Sequence, residues 1–378
     1  MGRRRKSQKL ENNATLEPIV DRGPPRIGAQ ELIDMIIDFL HDSPASLLSC
    51  ALVCSAWVPS SQLHLFRDVR MRANYESDPR LRSLPSFEVL ESCTQFAACL
   101  RGSVHLIPLV CTLIVDAYVS TIRELAKVPF THLYSLTLHS GRNSLRLDKE
   151  AGAESRQHLS SILSIPTLIH IEVVGISLPS SIFRMCRNVK SLVLVQVSIG
   201  DWGFIGPQPK PEAALSGRLE TVRLRGCSFN WLTSNSAGWD FSHLKHLDLR
   251  HIGRIPRVLD FIQSISLTLE YLALDVDIPE LDLGILPNLK YLEWYLNDEL
   301  MEADTEPFRV LPTLSATHRV GTIIFWISNY RASRFDADVE VRVLPGLTNA
   351  KVHVEEIPYT LYNFMQDCGH RVIITTPE

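Results

Sequence analysis

One pattern constrains this chain more than any other. From about residue 106 onward, an aliphatic-x-x-aliphatic-x-aliphatic frame keeps returning. It opens at Val110, Leu133, Leu168, Val189, Leu219, Leu244, Leu269 and Leu289, at spacings of 23, 35, 21, 30, 25, 25 and 20 residues. Alternation inside each frame is the mark of a strand with one buried face. If about a third of residues are aliphatic, three fixed positions match by chance at roughly one start in 27, so the frame alone is weak. Shared approaches strengthen it: Pro129-Phe-Thr-His-Leu133, Ile165-Pro-Thr-Leu168, Asp240-Phe-Ser-His-Leu244 and Leu286-Pro-Asn-Leu289 enter their strands in one style. Beyond residue 300 the rhythm weakens, although Gly321–Ile327, Val339–Val343 and Ala350–Val354 still read as strands, the last units or a C-terminal cap.

If the frame's aliphatic side chains point into a core, the residues between them form rows on the opposite face. Those rows read Ser135/Thr137/His139, His170/Glu172/Val174, Ser191/Val193/Val195, Thr221/Arg223/Arg225, His246/Asp248/Arg250, Tyr271/Ala273/Asp275 and Tyr291/Glu293/Tyr295. They predict a basic patch of Arg223, Arg225 and Arg250 beside an aromatic patch of Tyr271, Tyr291 and Tyr295. Arg and Tyr are enriched in interfaces and in their hot spots. The candidate target-binding residues are therefore Arg223, Arg225, His246, Asp248, Arg250, Tyr271, Asp275, Tyr291, Glu293 and Tyr295. The competing reading is an ordinary solvated sheet whose charges, such as Asp248 and Arg250, compensate one another.

The N-terminal part reads differently. Residues 1–23 are polar and begin MGRRRKSQK, the composition of a disordered basic tail; Arg3-Arg4-Arg5-Lys6 could serve as a nuclear address. Residues 24–70 form a compact helical unit. Glu31–Leu40 (ELIDMIIDFL) is a dense apolar helix with Glu31, Asp34 and Asp38 on one stripe. Ser43-Pro44 restarts the chain for a second helix through Leu47, Leu48, Ala51 and Leu52. A third helix begins near Ser55 and carries Trp57, Leu63 and Phe66, with Pro59 in its first turn. Leu32, Ile33, Met35, Ile36, Ile37, Phe39 and Leu40 spread over most of the first helix's circumference. Fewer than about fifty residues cannot cover that much apolar surface, so the surplus must pack on the rest of the chain or on another protein.

The run ELIDMIIDFLHDSPASLLSCALVCSAWVPSSQLHLFRDV resembles the F-box in its fungal variety. Glu31-Leu32 match that motif's Glu-Leu, Val53-Cys54 and Trp57 its Val-Cys-x-x-Trp, and Leu65-Phe66 its aromatic end, while Gly28-Ala29 stand where the family has Leu-Pro. The resemblance implies docking onto a Skp-type adaptor, and through it a cullin, of an SCF-type ubiquitin ligase. It assigns adaptor contacts to Glu31, Leu32, Ile33, Ile36, Ile37, Leu40, Leu47, Leu48, Leu52, Val53, Cys54, Trp57 and Phe66. Leu219 opens LETVRLRGC, which meets the L-x-x-L-x-L-x-x-C form of a leucine-rich repeat, so the second part resembles an irregular leucine-rich repeat array, the usual companion of an F-box. The expected fold class is thus mixed α+β, or an α/β repeat: a small three-helix F-box-like module at 24–70, a helical spacer at 71–105, and an irregular leucine-rich repeat solenoid with a C-terminal cap at 106–378.

Searches for chemistry return little. The chain has no G-x-S-x-G elbow, no phosphate-binding Gly-Lys-Ser/Thr loop, no G-x-G-x-x-G and no H-E-x-x-H. His243, His246 and His251 cluster without a Cys or carboxylate at a convincing spacing, and read as surface residues. Eight cysteines include no C-x-x-C and several sit in apolar runs, as Cys111 does in LVCTLIV, which suits buried reduced thiols. Trp231 and Trp239 read as packing or partner contacts. A net charge of -4 offers no general attraction to nucleic acid or to anionic membrane. The most apolar run, Leu106–Val119, is short and contains Asp116, so no span is expected. The reading from sequence is a non-enzymatic, cofactor-free substrate-recognition subunit, cytoplasmic or nuclear, with an unknown target protein. The alternative is a leucine-rich repeat scaffold without a ubiquitin-ligase role.

Overall fold

The computed structural model describes residues 29–71, 87–140, 152–200, 217–229, 232, 238–250, 257–274, 281–296, 320–328, 351–356 and 368–375. The chain divides into two compact units, Met1–His64 and Leu65–Glu378.

In the first unit, α1 (Ala29–Asp38) and α2 (Pro44–Val53) are followed by α3 (Val58–Arg67), at whose last turn the second unit begins. Pro44 opens α2, where its missing N–H costs nothing. Polar contacts join α1 to α3. Asp34 accepts hydrogen bonds from Ser60 Oγ at 2.5 Å and Gln30 Nε2 at 2.9 Å, and His64 Nε2 lies 2.7 Å from Asp38 Oδ1. The acidic stripe of α1 thus ties two helices together. Ile37, Leu47 and Cys50 make the small apolar centre.

The second unit is built on one sheet of twelve strands. Ten run parallel: β1 (Asp68–Met71), β2 (Thr112–Asp116), β3 (Ser135–His139), β4 (His170–Val174), β6 (Ser191–Val195), β8 (Thr221–Arg225), β9 (His246–Arg250), β10 (Tyr271–Leu274), β11 (Tyr291–Leu296) and β12 (Thr322–Ser328), neighbours in that order. Two antiparallel strands finish the sheet, β14 (Cys368–Thr375) beside β12 and β13 (Lys351–Glu356) at the edge. A separate two-stranded parallel pair joins β5 (Ser177–Pro179) to β7 (Ser198–Gly200).

Parallel neighbours need crossover connections, and here several of these are helices. α4 (Phe87–Gly102) precedes β2, α5 (Val119–Leu125) lies between β2 and β3, α6 (Gly152–Leu163) between β3 and β4, and α7 (Val258–Ser264) between β9 and β10. Short 3₁₀ turns at Val104–Leu109, Ser180–Met185 and Leu283–Ile285 serve elsewhere. One core holds them all. The frame residues Leu113/Val115, Leu136/Leu138, Ile171/Val173, Leu192/Leu194, Val222/Leu224, Leu247/Leu249, Leu272/Leu274 and Leu292/Trp294 pack with Cys93, Ala97 and Leu100 of α4, Ile122 of α5, Leu159 of α6 and Phe261 of α7. The segment read as a spacer therefore supplies a core helix.

This corrects the expected fold class. The protein is not a helical F-box module followed by a repeat solenoid; it has an α/β fold dominated by a single large, mostly parallel sheet. The frame located strands but carried no information about what lies between them. Those connections differ in kind from strand to strand, and the sheet runs past the frame on both sides, to β1 before it and to the antiparallel β14 and β13 after it. Val339–Val343 lies outside the described residues.

Side-chain hydrogen bonds lock adjacent connections. Asn188 Nδ2 donates to Pro166 O and Asn288 Nδ2 to Leu267 O, both at 2.7 Å; Thr167 Oγ1 donates to Leu133 O and Thr268 Oγ1 to Leu244 O, both at 2.8 Å. Each satisfies a carbonyl on the preceding segment, which a buried or half-buried backbone requires. β4 and β8 are followed by Gly175 and Gly226 at φ 68° and 64°. At Gly175 a Cβ would stand 2.9 Å from that of Ser140, so the position is closed to other residues on two counts.

Candidate interaction surfaces

The register brings the sheet's polar side chains into ladders. One row runs Ser135, His170, Ser191, Thr221, His246, Tyr271, Tyr291; the next runs Thr137, Glu172, Val193, Arg223, Asp248, Ala273, Glu293. A third carries His139, Val174, Val195, Arg225 and Arg250. None of these residues belongs to the core cluster.

Within these rows the structure gathers the candidate target-binding residues into a connected network. Asp248 is almost fully buried and takes both Arg225 (Nη2 to Oδ2, 2.9 Å) and Arg250 (Nε to Oδ1, 2.6 Å). Arg250 also lies with its Cζ 4.5 Å from the centroid of the Tyr295 ring and donates to that residue's hydroxyl. Tyr295 in turn donates to Glu293 at 3.0 Å, and Tyr271 shares a hydrogen bond with Glu293. Burial pushes the Asp248 carboxyl up to about 7, against the pull of Arg225 and Arg223. Near neutral pH it therefore sits close to its own midpoint. Burial likewise raises the phenols of Tyr271 and Tyr295, with Glu293 adding to both, and so they remain neutral donors. His246 packs against Tyr271 with ring centroids 5.8 Å apart, and His170 Nδ1 lies 2.9 Å from Ser191 Oγ. Desolvation lowers both imidazoles below their ordinary range and keeps them uncharged.

Two members stay outside the network. Arg223 is exposed and pairs with no carboxylate among the described residues, and Tyr291 is 51% exposed. Asp275 lies outside the described residues, as do His251 and Trp231. Trp239 is buried in the core.

A second ladder escaped the sequence reading. In the last five frames the residue after the opening aliphatic alternates Lys190, Glu220, Lys245, Glu270, Lys290, and consecutive members are joined through the backbone, as in Glu220 N to Lys190 O at 2.8 Å. Lys190 Nζ reaches Glu220 at 2.9 Å and Lys290 Nζ reaches Glu270 at 2.6 Å. These hydrogen bonds hold both carboxyls below the usual range. The signal was visible in sequence as alternating charge at one position of the frame.

The first unit presents the opposite character. Of the residues assigned to adaptor contact, Leu32, Ile36, Leu48, Leu52 and Val53 are exposed, Leu52 by 87%, and Glu31 and Cys54 are exposed with them. Ile33, Leu40 and Trp57 are half-buried, whereas Ile37 and Leu47 are fully buried and belong to the unit's own centre. Phe66 belongs to the second unit and packs against that unit's own core. Three large exposed apolar residues were missed by the motif match: Met35, Leu63 and Phe39, the last 83% exposed. Their signal was their size and spacing on helices already read as too apolar to be covered.

Thiols contribute packing. Cys93 and Cys186 are buried, and burial lifts each to about 12; Cys227 is also raised by burial while its Sγ accepts from Val197 N at 3.3 Å. Among the described residues no three His, Cys, Asp or Glu side chains gather as a metal site, and no helix is long and apolar enough to cross a membrane. No family model and no curated protein matches the chain.

Proposed function

We propose that this protein is a substrate-recognition subunit of an SCF-type ubiquitin ligase, without catalytic residues of its own. α1 and α2 dock a Skp-type adaptor, and through it a cullin, while the polar face of the sheet holds a target protein. The observation that carries the reading is the exposed apolar surface of the first unit, formed by Leu32, Met35, Ile36, Phe39, Leu48, Leu52, Val53 and Leu63. So many large apolar side chains exposed on one small unit point to a protein contact, and its sequence resembles the F-box. Such a protein contributes positioning rather than chemistry, and it works where cullin scaffolds are found, in the cytoplasm or nucleus.

The test is capture of a Skp-type adaptor by the full chain. Ile36→Asp combined with Leu52→Asp should abolish association, because both side chains are exposed and a charge there costs the free protein far less than it costs an apolar interface. Ile37 is the wrong choice for this purpose, since it is buried and its replacement would unfold the unit. Undiminished capture by the double variant would refute the docking assignment. Binding of a target with no adaptor would leave a scaffold without a ligase role.

A further inference from the structure

The polar face of the sheet is almost self-sufficient. Arg225 and Arg250 share Asp248, Tyr295 bridges Arg250 to Glu293, Tyr271 bonds Glu293, and His170 meets Ser191. These groups have spent their hydrogen-bonding capacity on one another. Arg223 and Tyr291 have not. Arg223 stands exposed in the middle of its row, with Val193 on one side and the already shared Asp248 on the other. Tyr291 stands exposed in the neighbouring row.

Resting on the reading of this face as the target-binding surface, we propose that it recognises an extended peptide segment through two anchors: one carboxylate side chain on Arg223 and one large apolar side chain on Tyr291. Charge complementarity sets the first requirement. Among the described residues of β8 to β11 Arg223 is the one guanidinium without an ion pair, and with Glu172 and Glu293 in the same row it suits one carboxylate rather than a doubly charged group, which would need several free cations. Sheet geometry sets the second. Arg223 and Tyr291 are three strands and one two-residue step apart, about 16 Å at strand spacings of about 4.8 Å and a rise of about 3.3 Å per residue. An extended segment crossing the strands spans that distance in about four or five residues. The recognised pattern is therefore an Asp or Glu with a Phe, Tyr, Leu or Met four or five positions away.

The experiment is selection of a displayed library of random twelve-residue peptides on the intact protein, repeated on Arg223→Glu and Tyr291→Ala. Arg223 is exposed and makes no ion pair among the described residues, so the variant should stay folded, and a circular dichroism melt lowered only by the loss of its pull on Asp248 checks this. The parent should enrich acidic residues paired with large apolar ones at that spacing, by about tenfold over chance, the size of one charged hydrogen bond. Arg223→Glu should replace the acidic preference with a basic one, and Tyr291→Ala should erase the apolar preference while keeping the acidic one. No enrichment, enrichment unchanged by Arg223→Glu, or a phosphoserine version of a selected peptide binding far better than its glutamate version would overturn the proposal. Because the adaptor plays no part in the selection, failure of adaptor capture and failure of peptide selection point to different errors.

Discussion

Two neighbouring residues of α1 should behave in opposite ways. Ile37 is 0% exposed and Ile36 is 49% exposed, although they differ by one position in an apolar helix. Truncating a fully buried isoleucine removes its transfer energy and leaves a cavity, about 3 kcal/mol within the usual range of roughly 2–5. At about 1.4 kcal/mol per factor of ten, Ile37→Ala should speed amide exchange across α1 by about a hundredfold. Ile36→Ala should change that exchange by less than about tenfold, since half the side chain already meets water. Adaptor affinity should respond the other way. Covering the exposed half of Ile36 is worth about 1 kcal/mol by area, and up to about 2 at an interface centre, so Ile36→Ala should weaken binding five- to thirtyfold. Exchange by mass spectrometry on α1 peptides and calorimetric titration with the adaptor measure the two effects separately. Equal acceleration of exchange by both variants, or an Ile36 variant of parental affinity, would refute this division of labour.

Other expectations follow from the second unit. Iodoacetamide under native conditions should label the exposed Cys54 and Cys99 and spare Cys93, Cys186 and Cys227, whose thiols burial keeps protonated; early labelling of Cys93 would contradict the core described here. Asp248 titrates near 7 in the folded protein and near about 3.9 when unfolded, so the folded chain keeps a proton that the unfolded chain releases. Its contribution to stability is complete below the unfolded value and is lost as pH rises through 7. Relative to Asp248→Asn, the parent's denaturation midpoint should therefore fall between pH 4.5 and pH 8; a pH-independent difference would remove the argument. Asn288→Ala should cost about 1 kcal/mol by leaving the Leu267 carbonyl without its donor, with a smaller loss if water replaces it, read from urea unfolding.

In the large sheet the strands from β2 to β11 were legible because the frame's aliphatic residues alternate with others, and a period of two fixes which side chains share a face. That is why the rows Thr221/Arg223/Arg225 and His246/Asp248/Arg250, and the mutual compensation of Asp248 and Arg250, could be anticipated. The pair β5 and β7 lies outside the frame and was not read. What lies between strands was less legible, although Val258 to Ile265 reads as room for a helical turn or short helix and α7 (Val258–Ser264) occupies it. The approach motifs say where a strand begins, but α5 and α6 are short, mixed in character and stabilised by the core they join, so their sequences carry little helical signal of their own. β14 lies outside the recurring frame, and its pairing with the distant β12 has no local signature. The alternation Lys190, Glu220, Lys245, Glu270, Lys290 was available but occupies one position per frame, and only the register shows that it forms a ladder. In α1, Leu32, Ile33, Met35, Ile36 and Ile37 announce excess surface without saying which one turns inward. That choice depends on α3, whose Ser60 and His64 hold Asp34 and Asp38 and so fix the rotation of α1 that buries Ile37.

The central claim is that the exposed apolar side chains of α1 and α2 are an adaptor-docking surface. It is tested most directly by amide exchange of the full chain with and without saturating Skp-type adaptor. The account expects new protection confined to peptides covering Ala29–Val53, with β8 to β11 unchanged. Unaltered exchange over α1 and α2, or protection appearing on the sheet instead, would contradict it.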